Sequence, residues 1–292
     1  MTRVLILGDK GQLGSCLHDT VDDSVELTGF DIDQIDITDK QAVTALIREQ
    51  KPDWLINSAA FTAVDKAEAE EALAHRVNSD AVRFMAEACK EVGCRMVHIS
   101  TDFVFDGLAS TPYMPESVPA PVSVYGSTKL SGERELTALL PDSSFIIRTA
   151  WLYSEFGNNF VKTMLGLMAV KDELGVVADQ RGTPTYARGL AEAIWQLVMA
   201  ANPEAGIYHW TDAGETSWHG FALAIQAKAV EQGMLKTKIP VNALTTAEYP
   251  TPATRPTYSV LDCEKLRRAT GIPGQPWEQA LDQMLAHYKN MA

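Results

Sequence analysis

The chain has 292 residues, 46% of them hydrophobic, which suits one large α/β unit or a large domain with a smaller lobe around a buried core. Its 25 Lys and Arg face 38 Asp and Glu, a net charge of −13. That balance argues against nonspecific nucleic-acid binding and against an anionic membrane surface, although a few local cations can still hold a negatively charged small substrate. No apolar run approaches the ~20 residues that span a bilayer.

Val4–Leu7 reads as a first strand. It is too short for the apolar stretch of a signal peptide and ends in Gly8, so the expectation is a cytoplasmic chain. The Gly-rich turn after it leads into a helix from about Gln12, and Val25–Phe30 reads as a second strand. Thr38 is placed to cap a helix running to Gln50. After Lys51-Pro52-Asp53, Trp54–Ile56 begins a third strand. A long helical region spans Val64 to Glu91, Gly93 ends it, and Met96–Ile99 is a fourth strand. Ser123–Leu140 reads as a helix, followed by strand Phe145–Arg148.

Short apolar strands alternating with helices imply right-handed βαβ units and a doubly wound, Rossmann-type parallel sheet covered on both faces. Beyond Trp151 the alternation weakens. Helical stretches remain near Phe160–Ala169, Arg188–Met199, Trp218–Gln232 and Trp277–Tyr288, with short strands near Val176, Ile207 and Ile239. Three prolines make Tyr249–Pro256 extended or turning. The expected division is a dinucleotide-binding domain over residues 1–150 that carries the catalytic residues, and a mainly substrate-binding, smaller C-terminal lobe over 151–292, with the chain able to cross back. Cys16, Cys89, Cys94 and Cys263 lack zinc spacing and are expected as reduced thiols; no metal ligands are assigned.

Gly8-Asp9-Lys10-Gly11-Gln12-Leu13-Gly14 sits at the first strand-turn-helix unit. Glycines there permit a tight turn and a close approach of backbone to a pyrophosphate, which meets the free N–H groups of the helix N-terminus. Asp31, at the end of the second strand, can bind the adenosine ribose hydroxyls. It favours NADH and repels a 2′-phosphate unless Lys10, the one nearby cation, offsets it, so both NADH and NADPH stay open. Asp36 could approach the adenine or serve the turn.

Tyr125-Gly126-Ser127-Thr128-Lys129 places Tyr and Lys one helical turn apart on the same face. A ketone that accepts hydride becomes an alkoxide and needs a proton. A tyrosine serves near neutrality if a neighbouring cation lowers its pKa from ~10. Thr101, in Ser100-Thr101-Asp102 after the fourth strand, can donate to the carbonyl oxygen. Asn57-Ser58-Ala59-Ala60 ends the third strand with small residues that let a cofactor approach, and Phe61 and Thr62 follow as candidates to line its channel.

The series Gly8xxGly11xxGly14, Asn57-Ser-Ala-Ala, Ser100-Thr101-Asp102 and Tyr125xxxLys129 resembles the extended short-chain dehydrogenase/reductase family. Within it, several further stretches are similar to the dTDP-4-dehydrorhamnose reductases: Ala63–Glu68, Ser100–Gly107, Arg148–Trp151, Gly157–Phe160, Gly182–Thr185 and Pro250–Pro256. The resemblance runs over nearly the whole chain. It implies reduction of a nucleotide-sugar C4 ketone by NADH or NADPH. Thr101, Tyr125 and Lys129 would be catalytic, Tyr125 and Lys129 touching the cofactor as well. Gly8, Gly11, Gln12, Leu13 and Gly14 would serve the pyrophosphate side, Asp31 and Asp36 the adenosine side, and Ala60, Phe61 and Thr62 the nicotinamide path. Thr101, Asp102 and Trp151 would shape the substrate pocket. For the substrate diphosphate, Arg255 is the first candidate, held by its prolines, ahead of Lys162 and Arg181. Trp218 and His219 read as core and cap.

Two departures carry weight. Phe103 stands where the family's dehydratases place a Glu and its reductases often a Tyr, so dehydration is disfavoured and one substrate hydrogen bond is in doubt. Cys16 and Arg188 stand where some members hold a divalent ion between subunits. Thiol and guanidinium are poor magnesium ligands, so the expectation is a monomer or a metal-independent dimer. An epimerase or another nucleotide-sugar reductase of the superfamily, and a non-catalytic nicotinamide-nucleotide-binding subunit like that of methionine adenosyltransferase, remain as alternatives.

Overall fold

The structure, a computed structural model, describes residues 1–291. Strand β1 (Thr2–Leu7) is buried along its last four residues, and helix α1 (Gln12–Thr20) follows. Strand β2 (Val25–Phe30) leads to α2 (Lys40–Gln50). The cap of α2 is Asp39, not Thr38: the Asp39 carboxylate accepts from the amides of Gln41 and Ala42, while the Thr38 hydroxyl donates to Asp36 at 2.7 Å. A carboxylate can accept both orphan amides at once, so it displaces the neighbouring hydroxyl.

Strands β3 (Trp54–Asn57), β4 (Arg95–Thr101) and β5 (Ser144–Thr149) complete the first half. With a later strand, Gly206–His209, they form one six-stranded sheet in the order Gly206–His209, β5, β4, β3, β1, β2, parallel throughout. The chain moves outward from β1 to β2 and then returns to the other side of β1 for β3. This reversal opens a crevice at the carboxyl ends of the strands, the usual ligand position of such sheets. The register sets Leu7 beside Asn57, Asn57 beside His98 and Thr101 beside Thr149, so Gly8, Ser58 and Asp102 emerge along one edge.

Both faces of the sheet are covered. On one, Leu13, Cys16 and Leu17 of α1 pack with Leu190 and Ile194 of the helix Ala187–Met199. On the other, Val43 and Ile47 of α2 pack with Met85 of Ala81–Val92 and Leu136 of Val124–Leu139. The helical region expected from Val64 to Glu91 is divided: Val64–Ala67, Glu71–His75, a π-turn at Arg76–Asp80, then Ala81–Val92. The π-turn carries Asn78. Its carboxamide accepts from the Phe61 amide (2.9 Å) and donates to the Phe61 carbonyl (3.1 Å) and the Thr128 hydroxyl (3.2 Å), which fastens the loop after β3 to the Val124–Leu139 helix.

The strand expected near Ile207 joins the large sheet beside β5. Apart from this strand, the helix Ala187–Met199 and a few later residues such as Trp210 and Leu266, much of the second half builds a separate core. Phe221 and Ile225 of Trp218–Glu231 meet Leu281 and Met284 of Trp277–Met291 and Val161 of Phe160–Met168. A parallel pair, Leu174–Val177 with Val241–Leu244, closes its side. Among the described residues no helix is long and apolar enough to cross a membrane, and all four cysteines are unpaired and buried.

Candidate active site

A cleft of about 790 Å³ runs along the strand carboxyl ends and on between the two cores. Of the residues singled out in the sequence, Gly8, Gly11, Gln12, Leu13, Asp31, Asp36, Ala60, Thr62, Thr101, Asp102, Tyr125, Lys129, Trp151 and Arg255 line it. Gly14 and Phe61 do not. Gly14 lies inside α1, where a Cβ would sit 2.2 Å from the Asp9 carbonyl oxygen; it allows the helix to close on the loop. Phe61 packs against the small cluster that contains Tyr125.

The glycine loop has the properties a pyrophosphate cradle requires. Gly8 has φ +86, and a Cβ on it would lie 2.6 Å from the Ala59 nitrogen, so the turn admits glycine alone. Gly11 is the N-cap of α1 and offers no side-chain acceptor to its first amides, which leaves these donors and the positive end of the helix for an anion. At the far end, Asp31 accepts from the amides of Lys10 and Ile32, both at 2.7 Å. Lys10 Nζ pairs with Asp33 at 2.5 Å. Asp36 accepts from the amide and hydroxyl of Thr38, so it serves the turn while bordering the cleft. These residues fit a dinucleotide.

Ser123 caps the Val124–Leu139 helix by accepting from the Gly126 amide, and the helix carries Tyr125 and Lys129 to the cleft. Burial pushes the Tyr125 phenol up to about 12; the Thr101 hydroxyl opposes this and the nearby Asp102 charge adds to it. The sequence led us to expect a downward shift from Lys129. The difference has a geometric cause. Lys129 Nζ is turned to the Ile99 carbonyl (2.7 Å) and to His98 Nε2 (3.2 Å), and burial brings its own pKa down to about 8, with Glu133 opposing. Asp102 is buried too. Burial raises it to about 6, with the nearby Ser259 and Thr101 hydroxyls opposing, and its Oδ2 has no hydrogen-bond partner. Thr101 donates to Asp102 Oδ1 at 3.0 Å. The Phe103 ring meets Tyr125 edge-on, with centroids 5.5 Å apart.

Behind Thr101, Ser100 donates to Glu133 at 2.5 Å, and Arg148 grips the same carboxylate with two bonds of 2.9 and 2.6 Å. This buried group ties β4, β5 and the Val124–Leu139 helix together.

On the lobe side, Trp151 adopts φ 48, uncommon for a bulky residue and a local strain. Its indole stacks on Trp218 at 3.6 Å and 12°. Trp218 lines the cleft, which corrects its reading as core alone; the cap of its helix is Ser217, and His219 meets the Val241 carbonyl. Arg255 borders the cleft, but its guanidinium donates to Asp65 at 2.8 Å. Lys162 Nζ meets the carbonyls of Glu155 and Gly157, and Arg181 pairs with Glu215. Sequence reasoning missed Asn57 as a bonding group, His98, and the Glu133–Arg148 pair. Only their polarity inside apolar strands and a buried helix face could have marked them.

The family model described as RmlD substrate binding domain matches residues 1–290. A dTDP-4-dehydrorhamnose reductase of Aggregatibacter actinomycetemcomitans is 43% identical, over 98% of this chain and 99% of its own. A crystal structure of a dTDP-4-dehydrorhamnose reductase from Clostridium acetobutylicum is 40% identical, with a TM-score of 0.92 over 99% of this chain and 100% of that one. A second, the reductase of Bacillus anthracis in complex with NADP, is 37% identical, with a TM-score of 0.91 over 98% and 100%.

Proposed function

We propose a reductase function for this chain, which belongs to the RmlD substrate binding domain family. The reaction is reduction of the C4 ketone of dTDP-4-dehydro-L-rhamnose to dTDP-L-rhamnose, with NADH or NADPH as reductant. Relatives and solved structures that carry the reductase name over nearly the full chain support it. The single observation from the chain itself is that one cleft gathers the glycine loop, Asp31, Thr101, Tyr125 and Lys129.

The bound nicotinamide nucleotide supplies the hydride. The residues do the rest. Gly11, Gln12 and Leu13 receive the diphosphate at the helix N-terminus, and Asp31 accepts from the adenosine ribose. Thr101 and Tyr125 hold the ketone oxygen, and Tyr125 gives it a proton as negative charge develops there. The high pKa of the buried phenol keeps that proton in place until the alkoxide forms. Asp102, Trp151 and Trp218 shape the sugar pocket, and Arg255 reaches the diphosphate if Asp65 releases it. Residues 1–150 hold the cofactor and residues 151–292 mainly the substrate.

We read the enzyme as cytoplasmic, without nucleic-acid or membrane partners, and as a monomer or a metal-independent dimer. Cys16 is wholly buried with its thiol pKa pushed up by that burial, and Arg188 lies 3.6 Å from Asp19. These support an arrangement without a metal bridge.

The test is consumption of reduced nicotinamide with dTDP-4-dehydro-L-rhamnose made in situ, and product identification by mass. Tyr125→Phe is expected to lower kcat by roughly 10²–10⁴ with cofactor binding intact. Wild-type protein that binds cofactor but does not turn over this sugar would sink the reading.

A further inference from the structure

His98 is wholly buried in β4, the strand whose last residues line the cleft, and the mechanism above does not use it. It sits in a chain of contacts whose direction can be read. The Ala59 amide donates to Asn57 Oδ1 at 3.1 Å. An amide N–H can only donate, so Asn57 must present its oxygen to Ala59 and its NH₂ to the other side. That NH₂ lies 3.1 Å from His98 Nδ1, which must therefore accept. A neutral imidazole with Nδ1 accepting carries its proton on Nε2, and burial, the larger cause, holds His98 well below its ordinary pKa whether or not Lys129 is charged, so it is neutral. The Nε2–H then faces Lys129 Nζ at 3.2 Å.

An ammonium has no lone pair to receive that proton; an amine does, and it still has N–H groups for the Ile99 carbonyl. We propose that Asn57 and His98 are positioning residues that favour the amine form of Lys129 over the ammonium, through a hydrogen-bond chain directed from the Ala59 amide to Nζ. Protonating Lys129 requires His98 to move its proton to Nδ1. Asn57 must then rotate its amide, and the Ala59 N–H at the wall of the cofactor cleft loses its acceptor. The charge of Lys129 is thus linked to the backbone that a nicotinamide nucleotide passes. The other ionisable groups around Lys129 are Tyr125 and Glu133 on its own helix, the latter held by Arg148, and Asp102 beyond Tyr125. None of these reverses the chain.

The inference deepens the reductase reading and rests on it for its catalytic meaning, so its first readout needs no substrate. Protein labelled with ¹⁵N in histidine and lysine is followed by NMR across pH. The expected wild-type result is His98 as the Nε2–H tautomer above the Lys129 midpoint, passing to Nδ1–H as Lys129 gains its proton below it, with that midpoint well below an ordinary lysine. Asn57→Asp keeps the shape and the Ala59 bond but turns the group facing His98 into an acceptor. It is expected to switch His98 to the Nδ1–H tautomer and to raise the Lys129 midpoint by about one pH unit or more, a tenfold change. Asn57→Ala removes the donor without adding charge and is expected to move the midpoint in the same direction by less. In the reductase assay the pH profile of kcat should shift in parallel. A wild-type Nδ1–H tautomer above the Lys129 midpoint, or a Lys129 midpoint that stays put in both variants, overturns the inference. Absence of turnover in a wild-type protein with the expected spectra overturns only the substrate assignment.

Discussion

Replacing Arg148 by Met should destabilise the protein far more than a surface change, and its cost can be worked from the site. The guanidinium and the Glu133 carboxylate are 1% and 3% exposed, 2.6 Å apart at the closer contact, with a second bond of 2.9 Å. The Met side chain fills most of the space but leaves Glu133 ionised in the interior with Ser100 as its one remaining partner among these groups. Removing one member of a buried pair costs about 3–5 kcal/mol, because the other charge is left without compensation. Against a typical net stability of about 5–15 kcal/mol, that is a large share. Urea unfolding at neutral pH, followed by circular dichroism, reads it directly: with a slope of about 3 kcal/mol per molar, the midpoint should fall by roughly 1–2 M. Arg148→Met combined with Glu133→Leu removes the stranded charge and should recover most of the loss. A single variant that loses less than about 1 kcal/mol, or a double variant no better than the single, would refute the claim that burial without compensation sets the cost.

Two further outcomes concern the cleft. Asp102 has a folded pKa near 6 against an ordinary 3.8. A carboxyl with a raised folded pKa contributes stability below its unfolded pKa, and that contribution is lost as pH rises through the folded value. Asp102→Asn should therefore be more stable than the wild type at pH ~8, by about 3 kcal/mol for a two-unit shift, with the gap closing toward pH ~4; equal melting profiles at both ends would count against it. Asp31→Ala removes the carboxylate that would face a 2′-phosphate and frees the neighbourhood of Lys10. The ratio of kcat/KM for NADPH over NADH should rise about tenfold or more, and an unchanged ratio would show that Asp31 does not read the ribose.

What the sequence disclosed and what it hid divide along a physical line. Strands β1 to β5, the glycine turn and the Tyr125–Lys129 helix are local patterns: apolar runs of strand length, glycines at a strand end, a four-residue spacing on a capped helix. They were legible because neighbouring residues dictate them. The aim of Lys129 was not legible. Its partners are His98 and the Ile99 carbonyl, about thirty residues away, and only the sheet brings them near. Trp218 looked like core for the same reason, since nothing local says that Trp151 stacks on it. The divided region from Val64 to Glu91 has a helix-like composition throughout, and the π-turn that aims Asn78 at Phe61 leaves no periodic trace. Thr38 and Asp39 are adjacent capping residues, and the choice between them depends on Asp36, which occupies the threonine.

The position of Gly206–His209 bears on how the protein is made. When the first 150 residues have left the ribosome, β5 is an open strand edge, and α1 shows Leu13 and Leu17 without the helix Ala187–Met199 that will cover them. Both gaps close only after another fifty-odd residues have emerged, among them the helix Phe160–Met168 and the strand Leu174–Val177 of the other core. A growing chain therefore carries, for several seconds at typical elongation rates of ~5–20 residues per second, the kind of unpaired edge on which nascent proteins associate. The late strand and helix make completion of the large sheet wait until part of the second core has been synthesised, so a chain stalled before Gly206 keeps that edge open.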